Sequence, residues 1–182
     1  MKKICIYCGS KTGQKAQYSQ IAEALGKALA RNNHEMIYGG GRVGIMGIIA
    51  DAVLEEKGRV QGVIPISLMR KEVGHNGIQQ LHVTEDMHSR KALMEKLSDA
   101  FVVLPGGFGT LDEMFEIITW RQLGFHKKPV FILNSEGYFD ALLGFIQKAT
   151  DEGFIHSDGD EIIRVANSVE EIIQLIDQIK QR

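Results

Sequence analysis

The stretch PGGFGTLDE at residues 105–113 decides the fold predicted for this chain of 182 residues. It follows an apolar run at residues 100–104 that predicts a buried strand, and it leads into residues 111–123, whose apolar side chains recur at helical spacing. A strand, a glycine-rich turn and a helix start form a cradle for an anion, because the first N–H groups of a helix lack helical acceptors and the helix dipole favours negative charge there. We expect Glu113 in the first turn of this helix. A carboxylate beside a bound phosphate favours chemistry on a phosphorylated small molecule.

Strand-like and helical patterns alternate along the rest of the chain. We predict further strands at residues 3–7, 35–38, 60–64, 81–84, 129–133 and 162–165, and further helices at residues 18–31, 45–56, 89–97, 138–150 and 169–179. Residues 67–79 form one longer irregular connection. This alternation predicts an α/β fold with a Rossmann-like, doubly wound parallel sheet and helices on both faces. The length predicts a single domain over residues 1–182.

Composition excludes several classes of function. A net charge of −2 with interspersed signs does not give the basic surface of a nucleic-acid-binding protein. No apolar run reaches the length of a membrane span. The N-terminal residues run directly into the first predicted strand and lack the pattern of a secretory signal, so we expect a cytoplasmic protein.

The two cysteines have the CxxC spacing of a redox pair, but a structural role is favoured. Cys5 lies inside the first predicted strand and Cys8 at its end, and an offset of three residues places them on opposite faces. A redox pair usually sits at a helix N-terminus, where the thiolate is stabilised. The six histidines lack metal-ligand spacing, and we expect neither a metal site nor a cofactor.

Glycine clusters follow three predicted strands, at residues 8–13, 39–47 and 105–113. The second matches the dinucleotide fingerprint G-x-G-x-x-G at Gly39, Gly41 and Gly44. That fingerprint requires an acidic residue at the end of the next strand, where this chain has Pro65. The missing acid weakens the interpretation as a nicotinamide oxidoreductase, which stays open as an alternative. One cluster alone could be a tight turn. Three at strand ends predict a shared cleft for a phosphate or nucleotide.

Two charged residues are candidates for the chemistry of this cleft. Arg90 offers a planar fork for a phosphate or carboxylate, although a lone arginine is more commonly an exposed surface residue. Glu113 and Glu116 share one helix face, where they could act in catalysis or simply stabilise the helix N-terminus. On the same helix, Phe115 and Trp120 are expected in the core or at a dimer interface.

Several motifs together resemble the LONELY GUY family of cytokinin riboside 5′-monophosphate phosphoribohydrolases, many of which carry a lysine decarboxylase label. The resemblance covers nearly the whole chain. Besides PGGxGTxxE at residues 105–113, it rests on CGS at residues 8–10, GGG and GIMG at residues 39–41 and 44–47, VIP at residues 63–65, and MHxRK at residues 87–91. A leucine is usual where Ile45 stands.

The resemblance implies hydrolysis of the N-glycosidic bond of AMP or an N6-modified AMP, which releases the free base and ribose 5-phosphate. By position, Arg90 and Glu113 match the catalytic residues of the family. A phosphate cradle is implied at Gly106, Gly107, Gly109 and Thr110. Further contacts with the substrate are implied for Ser10, Gly40, Gly41, Glu72, Met87, Lys91 and Thr119. The resemblance also implies a homodimer, with helices near the site packing across the interface.

The residues fit this chemistry. Cleavage of a base–ribose bond builds positive charge on the sugar, which Glu113 could stabilise, or Glu113 could activate the water. Arg90 could hold the phosphate or assist the departing base. A non-catalytic carrier of a nucleotide or cofactor on the same fold is the main alternative. A decarboxylase would need a lysine for pyridoxal phosphate, and Lys91 is the only lysine expected in the cleft.

Overall fold

The computed structural model describes residues 1–69, 74–155 and 162–179, in which strands and helices alternate. The strands are β1 (Lys3–Tyr7), β2 (Glu35–Tyr38), β3 (Arg59–Pro65), β4 (Gln80–Thr84), β5 (Ala100–Val103), β6 (Val130–Leu133) and β7 (Ile163–Ala166). The helices are α1 (Ala16–Arg31), α2 (Gly44–Glu55), α3 (Ile66–Met69), α4 (Met87–Leu97), α5 (Phe108–Gln122), α6 (Asp140–Asp151) and α7 (Val169–Asp177). Across the described ranges, the helices are too short or too polar to cross a lipid bilayer.

The described strands form one parallel sheet in the order β4-β3-β2-β1-β5-β6-β7. Side chains of α1, α2 and α7 pack on one face, and side chains of α4, α5 and α6 pack on the other. The predicted Rossmann-like, doubly wound parallel sheet is therefore confirmed. Because the strand order reverses between β1 and β5, a crevice opens at the carboxyl ends of these two strands, where ligands bind in folds of this kind.

Strands β5 and β6 are apolar along their whole length because both faces of the sheet are covered there. Every residue of β2, β5 and β6 is buried. Cys5 packs in the core layer of Phe101 and Met114, and Cys8 packs in the opposite layer, so the prediction of opposite faces is confirmed. Both cysteines are buried and form no disulfide, which favours the structural role.

The structure corrects one boundary that matters for function. Helix α5 begins at Phe108 with Gly107 as its N-cap residue, three residues before the predicted start. The expectation that Glu113 lies in the first turn is wrong, since it lies in the second. The early start has a physical reason: the glycine-rich residues 106–109 carry no apolar periodicity, yet they meet no steric barrier to helical geometry. The other strand and helix bounds shift by only one or two residues from the prediction.

A close contact between α1 and α2 sets the packing of one helical layer. A Cβ atom placed on Gly26 of α1 would lie 2.7 Å from the carbonyl oxygen of Ile49 and 2.9 Å from Cβ of Ala52, both in α2. These distances are shorter than van der Waals contact allows, so the glycine is needed for the two helices to approach.

We predict that Gly26→Ala destabilises the protein by about 1–3 kcal/mol, because the overlap with α2 outweighs the better helix propensity of alanine. Gly144→Ala is the matched control. Gly144 lies inside α6, where a methyl group added to its Cα would have no described atom within 4 Å, and we expect this change to stabilise by about 0.5–1 kcal/mol. Urea unfolding measures both free energies, and a stabilised Gly26→Ala variant would contradict the packing described.

Candidate active site

A cleft of about 420 Å³ opens where the crevice was expected, beyond the carboxyl ends of β1, β2 and β5. The structure brings seven of the predicted site residues to its lining: Ser10, Arg90, Gly106, Gly107, Gly109, Thr110 and Glu113. These residues come from three separate segments of the chain. The alternation of strands and helices is what delivers them to one edge of the sheet.

Glycines allow two of the turns at this edge to touch. The Gly9 N–H donates to the Pro105 carbonyl at 3.1 Å. A Cβ atom on Gly106 would lie 2.8 Å from the Gly9 nitrogen and 2.1 Å from Oγ1 of Thr110. There is therefore no room for a side chain at position 106, and the turn after β5 is held directly against the turn after β1.

The second glycine cluster, residues 39–47, packs onto the first, residues 8–13. Gly44 has φ +58°, a conformation that favours glycine, and a Cβ there would lie 2.3 Å from the backbone carbon of Ser10. The Ile45 N–H donates to the Gly9 carbonyl at 3.1 Å. The fingerprint glycine at position 44 thus serves backbone packing. The expected shared cleft is confirmed, since all three clusters contribute to its lining.

The N-terminus of α5 points into the cleft with open backbone donors. The first helical hydrogen bond runs from the Leu111 N–H to the Gly107 carbonyl at 3.1 Å, so the N–H groups of Phe108, Gly109 and Thr110 have no acceptor within the helix. No described atom lies within 4 Å of a Cβ built on Gly107 or Gly109. Helix α5, described throughout, carries no acidic residue in its first turn to oppose the dipole. This end of the cleft suits an anion.

One turn further along α5, Glu113 forms a buried ion pair with Arg90. Nη1 of Arg90 lies 3.2 Å from Oε1 of Glu113, and the two residues are only 6% and 7% exposed. The alternative that Arg90 is an exposed surface arginine is therefore wrong. Its Nε donates to the Val63 carbonyl at 3.1 Å, and a Cβ on Gly39 would lie 2.1 Å from its Nη2. The guanidinium is fixed between β3, the turn after β2 and α5, and its charge stabilises the Glu113 carboxylate.

Thr110 and Glu113 are three residues apart, so they lie one above the other on the same face of α5. Thr110 packs over Gly106, and Glu113 follows one turn deeper in the cleft. A rise of about 1.5 Å per residue separates them by roughly 4.5 Å along the helix axis. The cleft therefore presents backbone donors at its mouth and a carboxylate further in.

Lys91 points away from this cleft. Its Nζ lies 3.2 Å from Asp112 and 3.0 Å from Glu116. Burial opposes its charge, but hydrogen bonds and the charges of Glu116 and Asp112 outweigh that effect and raise the pKa of Lys91 above its ordinary value. A lysine that forms a Schiff base needs the opposite shift.

The expectation that Lys91 is the only lysine in the cleft is wrong, because Lys11 lines it. Lys11 belongs to the first glycine turn, so its position in that cluster was the available signal. Sequence reasoning also missed Tyr18, Met46 and Tyr138, which contribute to the lining. Tyr138 stands near the end of β6, at the edge where ligands bind, whereas nothing in the sequence distinguishes Tyr18.

Four further predicted contact residues lie outside the lining of the cleft: Gly40, Gly41, Met87 and Thr119. Met87 places its sulfur 3.7 Å from Nη1 of Arg90. Gly40 accepts a hydrogen bond from the His75 N–H at 2.9 Å, and Gly41 bridges to Gly74. The Thr119 hydroxyl donates to the Phe115 carbonyl of its own helix. Glu72 lies outside the described residues. Contact of these residues with a ligand stays a prediction.

Two ionisable groups beneath the cleft stay neutral. Burial, above all, raises the pKa of the Cys5 thiol and of the Tyr7 phenol far above their ordinary values, and the nearby charge of Glu113 acts in the same direction. Cys5 therefore does not supply a reactive thiolate. Within the described ranges, no cluster of three or more His, Cys, Asp or Glu residues is placed to hold a metal ion.

Fold and cleft together define an α/β protein with a Rossmann-like sheet and a crevice built for an anionic ligand. A family model described as "Possible lysine decarboxylase" matches residues 46–176. The chain is 46% identical over 181 residues to "Cytokinin riboside 5′-monophosphate phosphoribohydrolase LOG1" of Arabidopsis thaliana, which covers 100% of this chain and 85% of the relative. It is 45% identical over 177 residues to the corresponding LOG protein of Oryza sativa subsp. japonica, covering 97% and 73%. The chain belongs to this LONELY GUY (LOG) family.

Solved structures with the same fold include proteins that are named for binding or carrying the molybdenum cofactor. The molybdenum cofactor carrier protein of Chlamydomonas reinhardtii aligns with a TM-score of 0.74 at 20% identity, over 97% of this chain and 96% of that one. The molybdenum cofactor binding protein of Rippkaea orientalis aligns with a TM-score of 0.72 at 22% identity, over the same shares of the two chains. At these identities the likeness concerns the fold alone.

We predict that Arg90→Met lowers the free energy of unfolding by about 1–3 kcal/mol, because it removes the cation that pairs with the buried Glu113 carboxylate. The loss stays at the lower end of the range for buried pairs because the cleft admits water. Total stability of about 5–15 kcal/mol keeps the variant folded. The double variant Arg90→Met/Glu113→Gln should regain part of the loss in urea unfolding, and additive losses would contradict a coupled pair.

Proposed function

We propose that this chain hydrolyses the N-glycosidic bond of a nucleoside 5′-monophosphate, AMP or an N6-modified AMP. The products are the free adenine-type base and ribose 5-phosphate. One observation carries the proposal: a carboxylate fixed by a buried arginine stands one turn past the open N–H groups of a helix N-terminus. The names and identities of the LOG relatives support the same substrate class.

The phosphate would bind at the start of α5, where the N–H groups of Phe108, Gly109 and Thr110 lack helical acceptors. Binding energy from this remote group positions the sugar. Lys11, which lines the same cleft, adds a positive charge. In this arrangement the phosphate serves for binding and the sugar for reaction. This explains why the substrate carries a 5′-phosphate that takes no part in bond breaking.

Glu113 would act on the ribose. As the bond between C1′ and the base nitrogen breaks, the sugar gains positive charge, which a carboxylate stabilises at short range. The carboxylate can also accept a proton from the attacking water, whose oxygen bonds to C1′, while a proton ends on the base nitrogen. Arg90 holds the carboxylate in place, because its Nε and Nη1 are bound to Val63 and Glu113.

The proposed enzyme would use residues 1–182 as one nucleotide-monophosphate-binding domain. Its two buried cysteines form no disulfide, which fits the reducing conditions of the cytoplasm.

We also propose a homodimer. Helix α5 and its C-cap residue expose a row of apolar side chains, with Phe108 93%, Phe115 40% and Leu123 63% exposed. Monomeric proteins rarely leave such a face uncovered, and the row passes over Thr119, a residue predicted to contact the substrate.

Incubation with AMP and with N6-isopentenyl-AMP, followed by chromatography for free base, tests the activity. We expect Glu113→Gln and Arg90→Ala each to lose about 10²–10⁴ in kcat/KM, because each removes charge stabilisation in the transition state. The control Glu95→Gln removes a carboxylate from the same helix as Arg90, paired with Lys128 away from the cleft, and should keep normal activity. Tight binding of AMP without release of base would favour a carrier protein.

Sedimentation equilibrium tests the dimer. Phe115→Lys places a charge on the exposed row of α5, and we expect this variant to sediment as a monomer while the wild-type protein sediments as a dimer. The control is Phe145→Lys on α6, an equally large apolar residue that is 67% exposed. We expect it to leave the dimer intact. Loss of the dimer with the control, or a dimer that survives Phe115→Lys, would place the interface elsewhere.

A further inference from the structure

A tyrosine from outside the family motifs reaches the proposed phosphate cradle. The Tyr138 hydroxyl donates a hydrogen bond of 2.6 Å to the carbonyl oxygen of Gly106, which is 32 residues earlier in the chain. Tyr138 follows the 3-10 turn Ser135–Gly137 at the end of β6. Two successive residues of that turn, Glu136 and Gly137, have positive φ, and this sharp reversal delivers the tyrosine to the cleft.

The bond acts on the peptide between two glycines of the cradle, Gly106 and Gly107. Neither Gly106 nor Gly107 has a side chain, so the peptide between them could rotate at low cost. The described chain contains no cis peptide, and in a trans peptide the C=O and N–H groups point in opposite directions. A hydroxyl that holds the Gly106 oxygen therefore also fixes the direction of the Gly107 N–H.

The ring of Tyr138 is held independently of its hydroxyl. It meets the ring of Tyr18 edge-on, with centroids 5.5 Å apart, and meets the ring of Phe139 at 4.9 Å. Tyr18 is itself packed against Gly13, where a Cβ would lie 2.8 Å from its ring. Removing only the hydroxyl should therefore leave the aromatic cluster in place, which makes the hydrogen bond testable by itself.

We propose that Tyr138 is a positioning residue that orients the Gly106–Gly107 peptide so that the Gly107 N–H meets the ligand's phosphate. The inference rests on the proposed function only in taking a sugar phosphate as the ligand. The carbonyl oxygen of Gly106 must point away from the phosphate, because the two electronegative oxygens would repel each other. By holding that oxygen, Tyr138 keeps the donor side of the peptide toward the anion.

Isothermal titration of wild-type protein, Tyr138→Phe and Tyr38→Phe with ribose 5-phosphate and with adenosine tests the inference. Tyr138→Phe should bind ribose 5-phosphate about five- to tenfold more weakly, the size expected for one hydrogen bond, and should bind adenosine as the wild type does. Tyr38→Phe removes the hydroxyl of a buried tyrosine outside the lining of the cleft, so its affinities should not change. In turnover, Tyr138→Phe should raise KM for AMP by the same factor with kcat nearly unchanged.

Equal weakening for adenosine and ribose 5-phosphate would show a merely structural role and overturn the inference, as would unchanged affinity of Tyr138→Phe for ribose 5-phosphate. The outcome is separable from the proposed activity. If the wild-type protein binds ribose 5-phosphate but never cleaves AMP, the hydrolase proposal fails, while the comparison of Tyr138→Phe with the wild type still decides the role of Tyr138. A wild-type protein that binds no ribose 5-phosphate would overturn both.

Discussion

The whole site depends on the absence of a side chain at Gly106. A single added carbon there would lie 2.1 Å from Oγ1 of Thr110 and 2.8 Å from the Gly9 nitrogen. Without that carbon, the turn after β5 lies against the turn after β1 at the point where the strand order reverses. Helix α5 consequently begins at the crevice itself, so its open N–H groups face the cleft instead of bulk water. The position of Glu113 then follows from helical geometry alone.

The buried pair of Arg90 and Glu113 links the fold to its chemistry. Burial of two charges is costly unless each finds a partner of good geometry, and here the arginine is bound to a carboxylate and to a backbone carbonyl. The same contacts hold the carboxylate inside the cleft, where the proposed reaction would place the cationic sugar. The interaction that lets the fold bury these charges is thus also the one that the proposed mechanism uses.

Much of this could be predicted from the sequence, for identifiable reasons. Strands covered on both faces are continuous apolar runs, so β1 and β2 were predicted to the residue. The start of α5 was predicted three residues late, because periodicity reports buried side chains and glycines have none. The direction of Lys91 was not predictable. Lys91 is adjacent to Arg90 in sequence, but consecutive residues of a helix point about 100° apart. The direction of its side chain is set by carboxylate partners that come from a different helix, α5. Tyr138 was missed because its partner is distant in sequence.

A crystal structure of the Glu113→Gln variant with AMP tests the central claim most directly. The account predicts phosphate oxygens within about 2.7–3.2 Å of the backbone nitrogens at the start of α5, with the side chain at position 113 facing C1′ of the ribose. A phosphate bound elsewhere, or a side chain at position 113 turned away from the sugar, would contradict it.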